Sequence, residues 1–402
     1  MNCRVCDSNN LELVIDLGLQ PWCNNFLKKE ELGKEPFYPL RVLFCKNCST
    51  TQLDYTVKKE IMFGDQTYLS GVTKSLSSHF EKIAIEADNK FCFNKKDKTI
   101  LDIGSNDGTQ LSHFKRLGYN VIGAESSKIT AEIANKAGIN TINEFFNHEF
   151  IIKHQLESKI DLINAAGVFF HLEELHSVTD GVKAALKPDG VFIVQFLYMK
   201  NIVENNAFDQ IYHEHLLYYT LKTVEILLNR HGLSMFDAYV EDIHGGSVIG
   251  YVTHIDNAQP TQRLVELRKI EEKEKINEIE TYHLFFDRIK KMKKDNLQYL
   301  SNAKANGKLI YGMGAPVKGN TMLNYFGIST NYIDFLVEKN TLRKNLYSPG
   351  MHIPIILEDE VEIQPDIYYV FAWNFKTEIL NNNKSLIDKG VEFYFPVDPK
   401  TK

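Results

Sequence analysis

One stretch of this 402-residue chain limits what it can fold into more than any other: Leu101-Asp102-Ile103-Gly104-Ser105-Asn106-Asp107-Gly108. The apolar run 99–103 reads as a strand entering a turn of glycines and small polar residues, and a helical pattern opens at Thr109. Glycine lets backbone approach a ligand closely, and a helix N-terminus offers unsatisfied N–H groups to a polar or anionic one. A second short strand, 120–124, ends at Glu125. That is about 20 residues beyond Gly104, where a βαβ unit places the carboxylate that grips ribose hydroxyls. The turn lacks the three-glycine spacing of dinucleotide sites, which weakens a nicotinamide or flavin reading. The competing reading is an ordinary tight βα turn without a ligand.

The length suggests two or three domains. Hydrophobic residues make up 44% and charged residues 24%, the balance of a soluble globular protein. A net charge of −6 provides no basic field for a nucleic-acid backbone, so no nucleic-acid partner is expected. The longest apolar stretch, around Val191 to Met199, is too short to span a bilayer, so no membrane partner is expected either. With no apolar signal core at the start, a cytoplasmic location is the default expectation, as a monomer or weak homo-oligomer.

Four of the 6 cysteines form two knuckles, Cys3-x-x-Cys6 and Cys45-x-x-Cys48. In a reducing compartment this spacing favours metal over disulfide, and four thiolates satisfy tetrahedral zinc. With every position filled by cysteine, the ion is structural. A redox pair fits less well, because neither C-x-x-C opens a helix after a strand. Residues 1–70 therefore read as a small zinc-stapled unit whose folding draws on the metal. Its strands are expected at 11–15, 40–45 and 51–55.

Residues 71–258 alternate helix and strand: a helix at 75–89, the strands at 99–103 and 120–124, a helix at 129–137, a strand at 160–165 and a helix at 173–186. Pro188-Asp189-Gly190 reads as a turn into a strand at 191–196. This pattern predicts an α/β, doubly wound parallel sheet. Residues 259–402 begin with one long or two shorter amphipathic helices, marked by Leu264, Leu267, Ile270, Ile276, Ile279, Phe286, Ile289 and Leu297. A second α/β unit follows: a strand at 308–311, the turn Gly312-Met313-Gly314-Ala315-Pro316, a helix at 319–325, and strands at 333–337 and 367–372.

The most reactive constellation is Tyr212-His213-Glu214-His215. Two histidines, a carboxylate and a tyrosine suffice for proton transfer near neutral pH. If extended, the segment turns His213 and His215 to one side and Tyr212 and Glu214 to the other, so all can share a cleft only if the chain turns. An exposed edge strand or a second metal site on the histidines are the alternatives. His171 follows the third parallel strand at the ligand-binding edge, and reads equally as a satisfied core histidine. His244 precedes a flexible Gly245-Gly246 turn. Lys318, at a helix start after Gly312 and Gly314, stands where a phosphate would be held, without the Gly-Lys-Ser/Thr ending of a nucleotidase loop.

The Asp102-x-Gly104-x-x-x-Gly108 turn with Glu125 resembles class I methyltransferases that use S-adenosylmethionine. The ordered set of motifs along nearly the whole chain resembles the sugar C-methyltransferase family, which acts on nucleotide-linked 4-ketosugars in the making of branched deoxysugars. That set comprises the four cysteines, Thr67-Tyr68-Leu69-Ser70-Gly71, the Gly104–Gly108 turn, Tyr212-His213-Glu214-His215 and His244-Gly245-Gly246-Ser247. It continues through Tyr311–Thr321, Pro349-Gly350-Met351-His352-Ile353-Pro354 and Ala372-Trp373-Asn374-Phe375.

The resemblance implies a Rossmann-like methyltransferase domain with S-adenosylmethionine on Asp102, Gly104, Asn106, Asp107, Gly108 and Glu125. It implies zinc on Cys3, Cys6, Cys45 and Cys48. The substrate would be a nucleotide-diphosphate ketosugar, TDP-linked, near His244, Gly314, Lys318, Asn320, Trp373 and Asn374. The reaction would use Tyr68, His171, Tyr212, Glu214 and His215: a base removes the C3 proton beside the C4 ketone, a donor steadies the enolate oxygen, and C3 takes the methyl group. His215 is the first choice of base, with Tyr212 as the rival. Two departures stand out: Ala165-Ala166-Gly167 replaces the family's asparagines, and Cys23 stands where small residues are usual. The remaining alternatives are an O- or N-methyltransferase of nucleotide sugars and a non-catalytic nucleotide-sugar-binding protein.

Overall fold

The computed structural model describes residues 1–63, 69–72, 74–91 and 95–397. Its strands sort into three sheets. The first is antiparallel, built from β1 (Leu11–Pro21), β2 (Phe37–Cys45) and β3 (Thr51–Leu53). Its fourth strand comes from the middle of the chain, as shown below.

The second sheet opens with β4 (Thr99–Ile103), β5 (Asn120–Ala124), β6 (Thr141–Ile142), β7 (Ile160–Ala166) and β8 (Leu186–Leu197), all parallel. The strand β9 (Leu217–Tyr218) leaves this sheet and pairs with β3, Thr51 opposite Tyr218. The chain then returns to add β10 (Leu233–Glu241) and β11 (Ser247–His254), both antiparallel to their neighbours, giving the order β10-β11-β8-β7-β4-β5-β6. From the central β4 the chain runs outward through β5 and β6, then jumps to β7 and runs the other way. The switch point between β4 and β7 is where doubly wound sheets open a crevice for ligands. The near-continuous apolar runs of β4, β7 and β8 follow from helices covering both faces of the sheet.

The turn expected at Pro188-Asp189-Gly190 lies within the span of β8, at a break in its register with β7: Leu186 faces Ile160, Val191 faces Leu162, and pairing continues from there. Residues 187–190 bulge out of the ladder, which accommodates the proline.

The charged segment after Pro260 forms two helices, Gln262–Lys273 and Ile279–Ala305. The longer one buries Tyr282, Phe285, Ile289 and Leu300, and Phe44 of β2 meets Tyr282 with ring centroids 5.4 Å apart. Ile270, counted in the apolar stripe, remains exposed. The third sheet is fully parallel: β12 (Ile310–Met313), β13 (Leu336–Glu338), β14 (Ile355–Leu357), β15 (Ile367–Val370) and β16 (Glu392–Tyr394), in the order β14-β13-β12-β15-β16. One apolar core runs through all three units, from Val14 and Val42 through Phe169 and Phe196 to Met322 and Trp373. Among the described residues no helix is long and apolar enough to cross a membrane.

Candidate active site

The turn after β4 sits at the switch point. Gly104 has φ +66, and a Cβ there would stand 2.8 Å from Val168 Cγ2, so only glycine fits beneath Val168, two residues past the end of β7. The turn is held by its own polar groups. Asn106 N donates to Glu125 Oε2 at 2.8 Å and Ser127 N to Oε1 at 2.7 Å. Asp107 accepts from Thr109 N and from Gly71 N, while Asn106 Oδ1 accepts from Ser70 N. The segment 69–72 thereby lies over the turn. Gly108, in the left-handed region at φ +76, caps the helix Thr109–Arg116.

Glu125 is buried and, among the described residues, pairs with no cation. Burial raises its pKa, and its remaining lone pairs suit a ribose diol. Asp102 beside it is pushed to about 7 by burial, against the Asn164 amide 2.6 Å away and with Glu125 adding to the rise. These residues fit the nucleoside end of S-adenosylmethionine. Tyr68 lies outside the described residues.

The Tyr212–His215 segment turns, His215 N donating to Tyr212 O at 2.9 Å. It is pinned on one side by β9 in the N-terminal sheet and on the other by Thr321 Oγ1, which donates to Ile211 O. The turn divides the histidines. His213 packs edge-on against Tyr38 of β2, while His215 lies against Tyr212 with centroids 3.9 Å apart and within 5.1 Å of His171. Among the described residues no second metal site forms on the pair, since His213 and His215 face different neighbours. Tyr212, Glu214 and His215 instead gather with His171.

His215 Nδ1 is 2.7 Å from Gln210 O, so Nδ1 carries the proton and Nε2 the lone pair. Burial holds its pKa well below the ordinary value, with His171 and His244 adding to the effect. His171 Nδ1 likewise donates to Glu214 O at 2.5 Å, and burial puts its pKa at about 4. Both imidazoles are neutral at pH 7. Tyr212 is raised well above 10 by burial and then by Glu214, so its phenol keeps its proton. Glu214 is raised to about 7 by burial, against hydrogen bonds from Trp22 and Asn24.

The β10–β11 connection closes this site from the side of β8, because Ser247 pairs with Leu197 at the C-terminal end of that strand. Gly246 has φ +117, and a Cβ there would fall 2.0 Å from Asn201 Nδ2. The backbone must pass that close, so no side chain can be accommodated. His244 is open to solvent yet walled by protein; burial, then His79 and Lys318, hold it at about 4.

From the C-terminal unit, Lys318 Nζ lies 4.2 Å over the Trp373 ring, 3.1 Å from Asn374 Oδ1 and 3.5 Å from Asp209 Oδ2. Trp373 Nε1 donates to the same Asp209 oxygen at 2.7 Å, and Gln210 Nε2 donates to His244 O at 3.0 Å. The expected group Lys318, Trp373, Asn374 and His244 is therefore assembled at the boundary with the middle unit. Asn320 is turned away, fully buried with Nδ2 on Cys23 O at 2.7 Å. Gly314, at φ +81, gives the turn after β12 its shape.

Sequence reasoning missed Asp209 and Gln210, two polar residues in the otherwise apolar Ala207–Ile211 run just before Tyr212. It also missed Trp22.

The thiols of Cys3, Cys6, Cys45 and Cys48 all lie within 4.8 Å of one another, with Cys3 and Cys48 3.5 Å apart and Cys6 and Cys45 3.6 Å apart. Sulfurs about 2.3 Å from a tetrahedral zinc stand about 3.8 Å from each other. The cluster fits the ion. Asn47 Nδ2 at 3.4 Å from Cys6 Sγ and Thr50 Oγ1 at 3.1 Å from Cys48 Sγ support it from outside.

The chain thus joins a doubly wound, Rossmann-like domain with a switch-point crevice to a four-cysteine unit and a second α/β unit. Three family models match in the same order: a zinc binding domain over residues 3–63, a methyltransferase domain over 79–237 and a C-methyltransferase C-terminal domain over 242–398. The chain is 30% identical over 402 residues to the C-methyltransferase NovU of Streptomyces niveus, covering 98% of this chain and 95% of that one. It belongs to this C-methyltransferase family and is an S-adenosylmethionine-dependent enzyme. Two solved structures align with part of the chain. The plantazolicin methyltransferase BpumL in complex with SAH is 16% identical, with a TM-score of 0.36 over 44% of this chain and 83% of that one. A TehB-like SAM-dependent methyltransferase from Corynebacterium glutamicum is 18% identical, with a TM-score of 0.32 over 44% and 87%. Scores this low add nothing to the assignment.

Proposed function

We propose that this enzyme methylates C3 of a nucleotide-linked 4-ketosugar through an enolate, with His215 as the base. The observation that carries the reading is the tautomer of His215: its Nδ1–H is spent on Gln210 O, leaving Nε2 to take a proton. A neutral, correctly oriented imidazole is what abstraction of an acidified C–H requires. The burial that keeps it neutral also weakens it as a base. The Tyr212 ring against its face and the Gln210 carbonyl both favour the imidazolium that forms.

Tyr212, whose phenol stays protonated, suits the enolate oxygen as a hydrogen-bond donor rather than serving as the base. S-adenosylmethionine supplies an electrophilic methyl, held by the Gly104–Gly108 turn and Glu125. Lys318, Trp373, Asn374 and His244 suit the nucleotide-diphosphate end, and a TDP-linked sugar is the reading we favour. Support for a sugar rather than another carbon acid comes from the resemblance of the ordered motifs. An O- or N-methyltransferase would need only to deprotonate a hydroxyl or orient an amine.

Incubation with S-adenosylmethionine and a panel of nucleotide-linked ketosugars, read by mass spectrometry, tests the reading. His215→Gln keeps size while removing basicity, so turnover should fall by roughly 10²–10⁴ with cofactor binding intact. Near-normal turnover in that variant with a dead Tyr212→Phe would reverse the two roles.

A further inference from the structure

The chain has 2 tryptophans, and each donates its indole N–H to a buried carboxylate at the site: Trp373 to Asp209 at 2.7 Å, Trp22 to Glu214 at 2.8 Å. Trp22 comes from the far side of the molecule in sequence, directly after β1 of the zinc-stapled unit. The segment it opens is clamped by the C-terminal unit. Asn320 holds Cys23 O, and Leu27 and Tyr347 exchange backbone hydrogen bonds at 3.0 and 2.8 Å. The Arg343 guanidinium lies 4.5 Å over the Phe26 ring. Residues 21–27 thus form a strap, fixed at several points, that delivers one N–H to the turn bearing His215.

Among the described residues no cation pairs with Glu214. Its titratable neighbours are Cys23 on the strap, Tyr212 and His215 on its own turn, and His171, which bonds its backbone carbonyl. The side-chain donors that favour its charged form are Trp22 and Asn24, both on the strap. A buried carboxylate with so few donors depends strongly on each of them.

We propose that Trp22 is a positioning residue of the reaction centre: its indole N–H fixes the Glu214 carboxylate, so the zinc-stapled unit completes the catalytic geometry rather than merely decorating it. The inference rests on the reading that the Tyr212–His215 turn carries the chemistry.

The test uses full-length protein carrying Trp373→Phe, which leaves Trp22 as the sole tryptophan. Its emission should change as Glu214 titrates, with a midpoint near pH 7. Adding Glu214→Gln should abolish that change. In the otherwise native enzyme, Trp22→Phe should lower kcat roughly 10- to 100-fold with both KM values nearly unchanged. In this proposal turnover uses Glu214 as the carboxylate, so Trp22→Phe should also move the acid limb of kcat upward by about one pH unit, since losing a donor raises the carboxyl pKa further. Trp22→Gln, which keeps an N–H, should recover part of the loss. Zinc content and melting temperature report whether the variants fold. Trp22 emission indifferent to pH and to Glu214→Gln would overturn the proposal, as would Trp22→Phe with normal kcat. If the wild-type protein methylates no sugar, the reading of the reaction fails while the emission titration still decides the Trp22–Glu214 link.

Discussion

The two α/β units repeat one device and use it differently. In the methyltransferase domain Glu125, at the end of β5, accepts from Asn106 N in the glycine turn and from Ser127 N two residues on. In the C-terminal unit Glu338, at the end of β13, accepts from Ala315 N in the glycine turn and from Asn340 N two residues on. The difference is Arg343. It pairs with Glu338 at 3.2 Å, donates to Ala315 O and stacks on Phe26. Glu125 has no such partner. We read a strand–turn–helix with a carboxylate at the next strand end as a ligand cradle where the protein leaves the carboxylate unpaired, and as an internal joint where an arginine of the same chain pairs with it. Asn320, Arg343 and Tyr347 around this joint hold the strap, and Lys318 on the helix after the turn reaches inward to Asp209 instead of outward to solvent.

The largest effect that could break this contrast comes from Glu338→Gln. It leaves Arg343 largely buried without its counter-ion, which should cost about 3 kcal/mol of stability, read as a lowered denaturation midpoint with unchanged affinity for the nucleotide sugar in the protein that remains folded. A matching loss of nucleotide-sugar affinity would mean that the C-terminal turn is a cradle after all. Next, Glu125→Ala should weaken S-adenosylhomocysteine binding by about 1–3 kcal/mol, roughly ten- to a hundredfold. Calorimetry showing unchanged affinity would remove Glu125 from the ribose. The smallest expected change is in Lys318→Ala. Because Asp209 and Asn374 already hold the ammonium, KM for the nucleotide sugar should rise only about three- to tenfold and KM for the methyl donor less. Equal effects on both would take Lys318 out of the substrate site.

Much of this contrast was visible in the sequence, because it depends on local spacing. The turn at Gly104, the strand ending at Glu125, each of the two C-x-x-C knuckles and the second glycine turn are set by residues close in the chain. The parts that stayed hidden depend on contacts across the chain. Whether Tyr212–His215 is extended or turned is decided by β9 pairing with β3 in the N-terminal sheet, which no local period encodes. Trp22 and Glu214 meet only because the strap is clamped by Asn320 and Tyr347. Lys318 looked like a free phosphate ligand until Asp209 was brought beside it. The Pro188 turn was legible as well: residues 187–190 bulge out of the ladder and pairing resumes at Val191, and the part that local pattern missed is the start of the strand at Leu186.

The most direct test of the enolate account is proton exchange without methyl transfer. The enzyme is incubated in deuterated water with a nucleotide-linked 4-ketosugar and S-adenosylhomocysteine, and the C3 position is followed by NMR. The account predicts that the C3 hydrogen washes out in the wild-type enzyme and is retained in His215→Gln. A sugar that is methylated in the complete reaction while its C3 hydrogen never exchanges, or exchange that persists undiminished without His215, would contradict it.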